Sequence, residues 1–261
     1  MKFSVLSSSS SGNITILESE GKYYLLDAGI GIRSLYSRLN SLGIFVDKIE
    51  GIFITHEHSD HIKGLCAISS KFNPKIYISK LTYKNLPESV KDSISPINFK
   101  FFIPGEEFKV NDLTINTFNI YHDAADPVGF TFTSNDGKTL VYITDTGTLK
   151  PNELFINKDA YILESNHEPD LLLMSARPWS LKNRIMSEYG HLSNESSAEL
   201  FSKIMGEKTK NLVLFHLSSE CNTKELALSC FRTYFKSINA SLDNIKITVS
   251  DITNPTELIE V

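Results

Sequence analysis

Short apolar stretches separated by turns alternate along the chain with stretches in which apolar residues recur every three or four positions. In the first part of the chain, alternating or continuous apolar positions predict strands over residues 2–7, 14–18, 23–26, 49–55 and 75–79. Helical spacing predicts a helix over 32–42 and another from 62 to about 72. Residues 80–98 are mixed, and Pro87 and Pro96 interrupt them, so no element is predicted there.

The second part of the chain begins with short strands and ends with strands that alternate with helices. Strands are predicted over residues 101–103, 108–110, 113–120, 127–132, 139–144, 160–163, 212–215 and 245–249. The turn signal at Asn135, Asp136 and Gly137 predicts a hairpin, and helical spacing predicts helices over 196–205 and 223–235. Two sets of strands, each followed by helices, predict a layered α/β architecture. Since no linker or repeat divides the chain, we expect one domain over 1–261.

The composition is ordinary for a globular protein, with 41% apolar and 22% charged residues. No apolar run approaches the roughly 18 to 20 residues of a membrane helix, and the N-terminus becomes polar too soon for a secretory signal. Cys66, Cys221 and Cys230 fit neither a disulfide framework nor a zinc motif. We therefore expect a cytoplasmic protein. A net charge of −5 argues against a protein that coats DNA, but not against an enzyme that binds phosphate at one metal-charged pocket.

The densest group of metal-capable side chains follows the strand that is predicted to end at Thr55. His56, His58, Asp60 and His61 fall within six residues, although the chain has only seven histidines. In an extended segment, His56 and His58 lie on the same side, and Asp60 and His61 then begin the next helix. This arrangement predicts part of a metal site that needs further ligands from elsewhere in the chain.

Three other predicted strands end in a side chain that can bind a metal. These residues are His122, Asp145 and His216. Any one of them alone is more often a hydrogen-bonded polar residue at a strand end. Four such strand ends in one chain favour a shared site at a sheet edge, where sites of α/β proteins usually form.

At these residues the sequence resembles a known family. The segment from Thr55 to His61 is similar to the HxHxDH signature of the metallo-β-lactamase-fold hydrolases, and Asp27, His122, Asp145 and His216 resemble the remaining motifs in order. The segments 10–13, 164–167 and 190–194 resemble the YycJ/WalJ group, which is described as nuclease-like and similar to ribonuclease Z. The resemblance implies an α/β (α+β) fold, a four-layer αββα sandwich, with the metal site at the sheet edge.

The resemblance also implies a site for two divalent metal ions. His56, His58 and His122 would hold one ion, Asp60, His61 and His216 the other, and Asp145 would bridge them. Imidazole and carboxylate ligands suit zinc first, with manganese or iron as alternatives. Two such ions about 3.5 to 4 Å apart can share a hydroxide that attacks a phosphodiester. An aspartate at Asp145, where antibiotic-degrading members have cysteine, disfavours antibiotic hydrolysis. Glu57 is expected to point away from both ions.

The resemblance further implies roles around the ligands. Asp27 is expected to orient the ligand loop by hydrogen bonds, although it could also be an ordinary turn aspartate. Asp60 and His191 are the candidate catalytic residues, with His191 as the general acid that protonates the leaving oxygen. The alternative for His191 is a residue at a helix start, where Ser193 or Asn194 would be the cap. Contacts with substrate are expected from Ser11, Asn13, His167 and Asn194.

A smaller cluster lies further along the chain. Arg177, Lys182 and Arg184 surround Trp179 in the sequence. These residues form either a clamp on the substrate, which offers charge and a stacking surface, or a solvated face. The sequence leaves this choice open.

Three functions are compatible with these residues. The first is a dinuclear metal-dependent hydrolase of phosphodiester bonds, a nuclease acting on DNA or RNA. The second keeps the fold but acts on a small cyclic phosphodiester or a thioester. The third is a metal-stabilised module that binds a partner without catalysis. The complete ligand set and the candidate acid favour the first. The sequence leaves the oligomeric state open.

Overall fold

The computed structural model describes residues 1–261, and the chain forms two compact units. The first unit comprises Met1–Asn119, Ala124–Val128 and Asp251–Glu260. The second comprises Ile120–Asp123, Gly129–Ser250 and Val261. The single domain expected over 1–261 stays a prediction.

A mixed sheet forms the centre of the first unit. Its strands are hydrogen-bonded in the order β14-β1-β2-β3-β4-β5-β6. Their bounds are β1 (Lys2–Ser7), β2 (Ile14–Ser19), β3 (Lys22–Leu26), β4 (Gly51–Phe53), β5 (Lys75–Ser79), β6 (Phe99–Phe102) and β14 (Ile259–Glu260). Neighbours from β14 to β3 are antiparallel, and those from β3 to β6 are parallel. An antiparallel hairpin joins β7 (Glu107–Val110) and β8 (Leu113–Asn119). The short β14 was not predicted.

The helices of the first unit follow the parallel strands. They are α1 (Ile32–Ser41), α2 (Ser59–Ile62), α3 (Leu65–Phe72), α4 (Lys80–Asn85) and α5 (Glu88–Ser93), with a 3-10 turn over Pro96–Asn98. Leu35 and Leu39 of α1 are buried in the core, as their spacing predicted. The sequence did not predict α4 and α5, because their only buried side chain is that of Thr82, and such helices carry no apolar stripe.

The helix expected from Ile62 to about Phe72 is instead two helices, with a break at Gly64. The Gly64 N–H donates to the carbonyl of Ala28 at 2.7 Å. A Cβ on Gly64 would lie 1.8 Å from the carbonyl oxygen of Ile30, so only glycine permits this approach. The break therefore locks the loop after β3 against the helix pair that follows β4.

The second unit also contains a mixed sheet. Its strands are hydrogen-bonded in the order β13-β12-β11-β10-β9. Their bounds are β9 (Val128–Thr133), β10 (Thr139–Ile143), β11 (Ala160–Glu164), β12 (Asn211–Phe215) and β13 (Lys246–Val249). The pair β9–β10 is the predicted hairpin, and Gly137 in its turn has φ of +79°. The other three pairs are parallel. All residues of β10 and β11 are buried, as in a sheet covered on both faces.

Four helices belong to the second unit. They are α6 (Pro169–Met174), α7 (Trp179–Met186), α8 (Asn194–Ile204) and α9 (Lys224–Ser237). The sequence predicted α8 and α9, which begin at the capping residues Ser193 and Thr223. It did not predict α6 and α7, which bury only one and two side chains. No helix of the structure combines the length and the apolar character that a membrane span requires.

Candidate metal centre

The first unit brings four of the predicted ligands together at one end of its parallel strands. His56 and His58 follow β4, and Asp60 and His61 lie in α2. The ring centroids of His56 and His58 are 4.7 Å apart, and those of His56 and His61 are 4.2 Å apart. His56 and His61 are fully buried, whereas His58 and Asp60 are partly accessible. The segment after β4 and the short helix α2 thus bring these side chains close together, and their role as metal ligands stays a prediction.

Asp27 hydrogen-bonds to Thr55 and His61 and so orients this group of ligands. It follows β3 with φ of +58°, and its carboxylate accepts hydrogen bonds from the Thr55 N–H at 2.9 Å and from the Thr55 hydroxyl at 3.0 Å. The same carboxylate lies 2.7 Å from His61 Nδ1. A carboxylate on Nδ1 leaves the lone pair of Nε2 available for a metal. This geometry supports the orienting role that the sequence suggested for Asp27.

We expect Asp27→Asn to lower the zinc affinity of the protein about 10- to 100-fold, because a side-chain amide orients the His61 imidazole less well than a carboxylate does. Zinc titration with a competing chelator measures this change. Asp47→Asn, an exposed aspartate of the same unit, is the matched control and should bind zinc as the wild type does. Equal affinities for wild type and Asp27→Asn would contradict the assignment.

Asn13 is the last residue of the loop that joins β1 to β2, residues 8–13. Its side chain has no exposed surface, and its Nδ2 lies 3.1 Å from Asp60 Oδ2 and 3.1 Å from His61 Nε2. Its backbone N–H donates to the Asp60 carbonyl at 2.8 Å. A Cβ on Gly29 would lie 1.8 Å from that same carbonyl oxygen, so the two loops pack at backbone distance. We therefore assign Asn13 a positioning role in place of the expected substrate contact.

Ser11 and Glu57, which are close to these residues in the sequence, do not take part in the hydrogen bonds of the ligand group described above. Ser11 is exposed, and its hydroxyl lies 2.7 Å from the Ser9 hydroxyl, so its contact with substrate stays a prediction. Glu57 Oε1 accepts a hydrogen bond from the Ala125 N–H at 2.8 Å. This bond turns Glu57 toward the 124–128 segment, in agreement with the expectation that it is not a ligand.

The second unit brings the remaining predicted ligands together. Asp145 follows β10 and His216 follows β12, and both have positive φ, +52° and +58°. Asp145 Oδ1 lies 3.4 Å from His216 Nδ1 and 3.8 Å from His122 Nε2. A positive φ is rare outside glycine, and its recurrence at Asp27, Asp145 and His216 marks strand ends that turn their side chains toward a site.

Glu164, the last residue of β11, organises the second group of side chains, which also contains Asp145, His191 and His216. Its Oε1 lies 2.8 Å from His191 Nδ1 and 2.8 Å from His216 Nδ1, and its Oε2 accepts from the N–H groups of Thr146 and Leu192. Burial alone would raise the pKa of Glu164, but its contacts with His191 and His216 outweigh burial and lower the pKa to about 2. Glu164 begins the motif over residues 164–167, but the sequence analysis assigned it no role. The signal was a carboxylate that ends an otherwise apolar buried strand.

His191 is the partly accessible member of this group. Its side chain is 16% exposed, and its Nδ1 is directed to Glu164. This pairing leaves Nε2 as the atom that can exchange a proton with a bound substrate. The ligand atoms of Asp145, Glu164, His191 and His216 all lie within 4.8 Å of one another. The role of His191 as general acid stays a prediction.

Asn194 and His167 lie behind these residues. Asn194 has no exposed surface and hydrogen-bonds to Ser165, Glu168 and Asn222, so its amide supports the loops and does not reach a substrate. This burial corrects the substrate contact that the sequence suggested. The helix cap is Ser193, whose hydroxyl accepts from the Ser196 N–H. His167 is 3% exposed, and its Nδ1 has no hydrogen-bond partner in the protein.

His167 is expected to make the protein less stable in mild acid. Burial, together with nearby positive charge, lowers its pKa from 6.5 to about 4, although Glu164 opposes the shift. Between these values the unfolded state binds more protons, so stability falls as pH falls through this range. The loss should be about 2 kcal/mol between pH 7 and pH 5. Urea denaturation of wild type and His167→Gln at both values measures it. An unchanged pH dependence in His167→Gln would refute the assignment.

Four histidines of the two groups, His56, His61, His122 and His216, share one hydrogen-bonding pattern, which fits a metal centre. His61 and His216 each face a carboxylate through Nδ1, and His122 Nδ1 lies 3.2 Å from the Tyr189 carbonyl oxygen. His56 Nδ1 lies 2.9 Å from the Thr55 hydroxyl, which itself donates to Asp27 and therefore accepts from His56. In each case an oxygen atom of the protein holds Nδ1, so Nε2 is the ring atom that could bind a metal ion, as is usual at such sites. In this structure His61 Nε2 lies 3.1 Å from Asn13 Nδ2.

The charged cluster near Trp179 is largely committed to internal contacts. Lys182 Nζ donates to the carbonyls of Leu173 and Ser175 and lies 5.1 Å from the Trp179 ring centroid. Arg177 Nε donates to Glu220 at 2.9 Å. These contacts occupy the charged groups of Arg177 and Lys182 within the protein, and they do not support a clamp on the substrate. Lys182 is buried, so the alternative of a solvated face does not describe it either.

Comparison with known families identifies the class of protein. Residues 22–217, which include every proposed metal ligand, match the family described as the β-lactamase superfamily domain. The chain therefore belongs to the β-lactamase superfamily, among the hydrolases of metallo-β-lactamase fold. The histidine and aspartate groups on this fold indicate divalent metal ions.

Two relatives within the superfamily indicate a more specific group of proteins. The chain is 36% identical over 230 residues to the exodeoxyribonuclease YycJ of Bacillus anthracis, covering 87% of this chain and 86% of the relative. It is 37% identical over 229 residues to the exodeoxyribonuclease WalJ of Streptococcus pneumoniae, covering 87% and 85%. These matches confirm the predicted YycJ/WalJ resemblance.

A solved structure confirms the fold. The short form of human tRNase Z superposes with a TM-score of 0.67 at 17% identity and covers 100% of both chains. The predicted fold class, an α/β sandwich of metallo-β-lactamase type with two mixed sheets and flanking helices, is therefore confirmed.

Proposed function

We propose that this protein is a metal-dependent exodeoxyribonuclease. The observation that carries the proposal is its 36–37% identity to proteins named exodeoxyribonucleases, over at least 85% of their length. The similarity includes the candidate site as well as the fold, because the family match from residue 22 to 217 contains all of the candidate ligands and His191. Hydrolysis of phosphodiester bonds in DNA is the reaction that these observations support best.

We propose that the protein binds two divalent metal ions through the ligands that the sequence predicts. His56, His58 and His122 would hold one ion, Asp60, His61 and His216 the other, and Asp145 would contact both. Zinc is the proposed metal, with manganese and iron as alternatives, because imidazole and carboxylate ligands suit all three. When bound, two such ions would activate water and neutralise the charge that develops on a phosphate.

The residues around the ligands would carry the remaining steps. Asp27 and Glu164 would hold the imidazoles of His61 and His216 in one orientation and in one tautomer. His191 Nε2 would donate a proton to the oxygen that leaves phosphorus. Glu164 stabilises the protonated imidazole before that transfer, since its ionised carboxylate lies 2.8 Å from His191 Nδ1.

A substrate comparison tests the proposal. The purified protein, supplied with zinc, manganese or iron, would be assayed on end-labelled single-stranded and duplex DNA, on RNA of the same sequence, on bis-p-nitrophenyl phosphate and on a thioester. We expect stepwise shortening of DNA at a higher kcat/KM than on the other substrates. Preferred turnover of the thioester or of the small phosphodiester would assign the protein to a small-molecule hydrolase instead.

We propose the cytoplasm as the location of the protein. DNA is the proposed substrate, and Cys66, Cys221 and Cys230 are free thiols in the structure. Free thiols are typical of reducing compartments.

A further inference from the structure

Two exposed tyrosines lie side by side in the second unit. Tyr121 is 42% exposed and Tyr189 is 56% exposed. Their ring centroids are 6.3 Å apart, and the rings meet edge to face at 62°. Since each tyrosine is about half exposed, the pair presents an aromatic surface to solvent. A contiguous exposed apolar surface marks a contact site more often than a single exposed ring does.

The pair lies directly beside the proposed catalytic residues of the same unit. Tyr121 precedes His122, so their Cα atoms are about 3.8 Å apart. Tyr189 lies two residues before His191, and its carbonyl oxygen is 3.2 Å from His122 Nδ1. Both rings are therefore carried by backbone that also positions a proposed metal ligand and the candidate acid.

The backbone under the pair is held firmly. The Tyr121 N–H donates to the Thr146 hydroxyl at 3.1 Å, and its carbonyl accepts from the Gly147 N–H at 3.1 Å. The Gly190 N–H donates to the Ser187 carbonyl at 2.9 Å. A Cβ on Gly147 would lie 2.1 Å from the Ser187 carbonyl oxygen, so the two segments pack at backbone distance. The rings are thus presented with little freedom to lose when a ligand stacks on them.

A positive charge accompanies this surface. The Arg184 side chain is 50% exposed, and its Nε donates to Asp123, the residue that follows His122. A guanidinium has five N–H donors, so this bond leaves donors that can contact a phosphate. Two rings and one guanidinium match a single nucleotide, and they are too small a surface for a stable protein interface.

We propose that Tyr121 and Tyr189 form a corner for an unpaired base of the DNA substrate, in which one ring stacks on the base and the other meets its edge. Arg184 would contact the phosphate of that nucleotide, and the enzyme would therefore act on single-stranded ends. The inference rests on the proposed function. Base-aromatic stacking tolerates every base, because each base has a π face. The platform would thus hold a strand end beside the hydrolytic site without reading its sequence.

The test measures KM and kcat on a single-stranded oligonucleotide for Tyr121→Ala, Tyr189→Ala and the conservative Tyr189→Phe. We expect each alanine variant to raise KM roughly 10-fold and Tyr189→Phe to stay close to wild type, since phenylalanine retains the stacking face. Phe45→Ala, which removes an aromatic side chain that is 81% exposed in the first unit, is the matched control and should leave both constants unchanged.

Abasic substrates separate stacking from a structural role. Oligonucleotides with one abasic site at successive terminal positions would be compared between wild type and the alanine variants. At the position that the rings contact, the abasic substrate should show the same KM with wild type and variant. An equal loss on every abasic substrate, an unchanged KM in both alanine variants, or an equal loss on blunt duplex DNA would overturn the proposal. If wild type leaves all DNA intact, the proposed function itself has failed.

Discussion

His58→Ala is expected to reduce DNA hydrolysis by more than about 100-fold, because loss of a residue that orients a ligand already costs 10- to 100-fold and His58 is a proposed ligand itself. The side chain is only partly buried and precedes α2, so the fold should persist. Rates on labelled DNA and metal content by elemental analysis measure the effect, and circular dichroism confirms folding.

Lys63→Ala is the matched control for this substitution. Lys63 is exposed, follows α2 directly and is not one of the proposed ligands. It should retain the wild-type rate and the full metal content. A folded His58→Ala protein that cleaves DNA at the wild-type rate would show that His58 is not a ligand.

Glu164→Gln is expected to lower both stability and metal affinity. Glu164 is fully buried and is the acceptor for four N–H groups, those of His191, His216, Thr146 and Leu192. A glutamine has one acceptor oxygen and presents an NH₂ group to donors, so buried N–H groups lose their partners. The expected cost is about 3 kcal/mol in the free energy of unfolding, with zinc affinity reduced about 10- to 100-fold.

Urea denaturation of the metal-free protein isolates the stability effect, and zinc titration isolates the affinity effect. Glu199→Gln is the matched control, since the Glu199 side chain is 51% exposed and its ion pair with Lys203 lies on the surface. Surface pairs contribute at most about 1 kcal/mol, so this variant should change little. If Glu164→Gln has the same free energy of unfolding and the same zinc affinity as the wild type, Glu164 does not organise the group formed by Asp145, His191 and His216.

Most of the strands and most of the candidate site could be predicted from the sequence. After their first residue, strands such as β10 and β12 are apolar, and a side chain that can bind a metal, Asp145 or His216, lies within two residues of the strand end. The predicted helices α1, α8 and α9 bury apolar residues at helical spacing. Both signals are local, so they are visible without knowledge of the tertiary structure.

The features that the sequence missed depend on tertiary contacts or lack an apolar face. The helices α4 to α7 bury few side chains, so their sequences show no clear periodicity. The break at Gly64 arises from its approach to Ile30 and Ala28, which are distant in sequence. The roles of Asn13 and Glu164 could not be assigned either, because their partners come from separate segments of the chain. Asn13 and Asn194 are fully buried in the structure, so both support neighbouring loops and do not contact substrate.

The most direct test of the central claim is a time course of purified protein on 5′-labelled single-stranded and duplex DNA before and after metal removal. The protein is predicted to shorten DNA progressively, to lose this activity when a chelator removes the metal, and to regain it with zinc or manganese. Intact DNA in the presence of zinc, manganese and iron, with protein that elemental analysis shows to be fully metal-loaded, would contradict the assignment as a metal-dependent deoxyribonuclease.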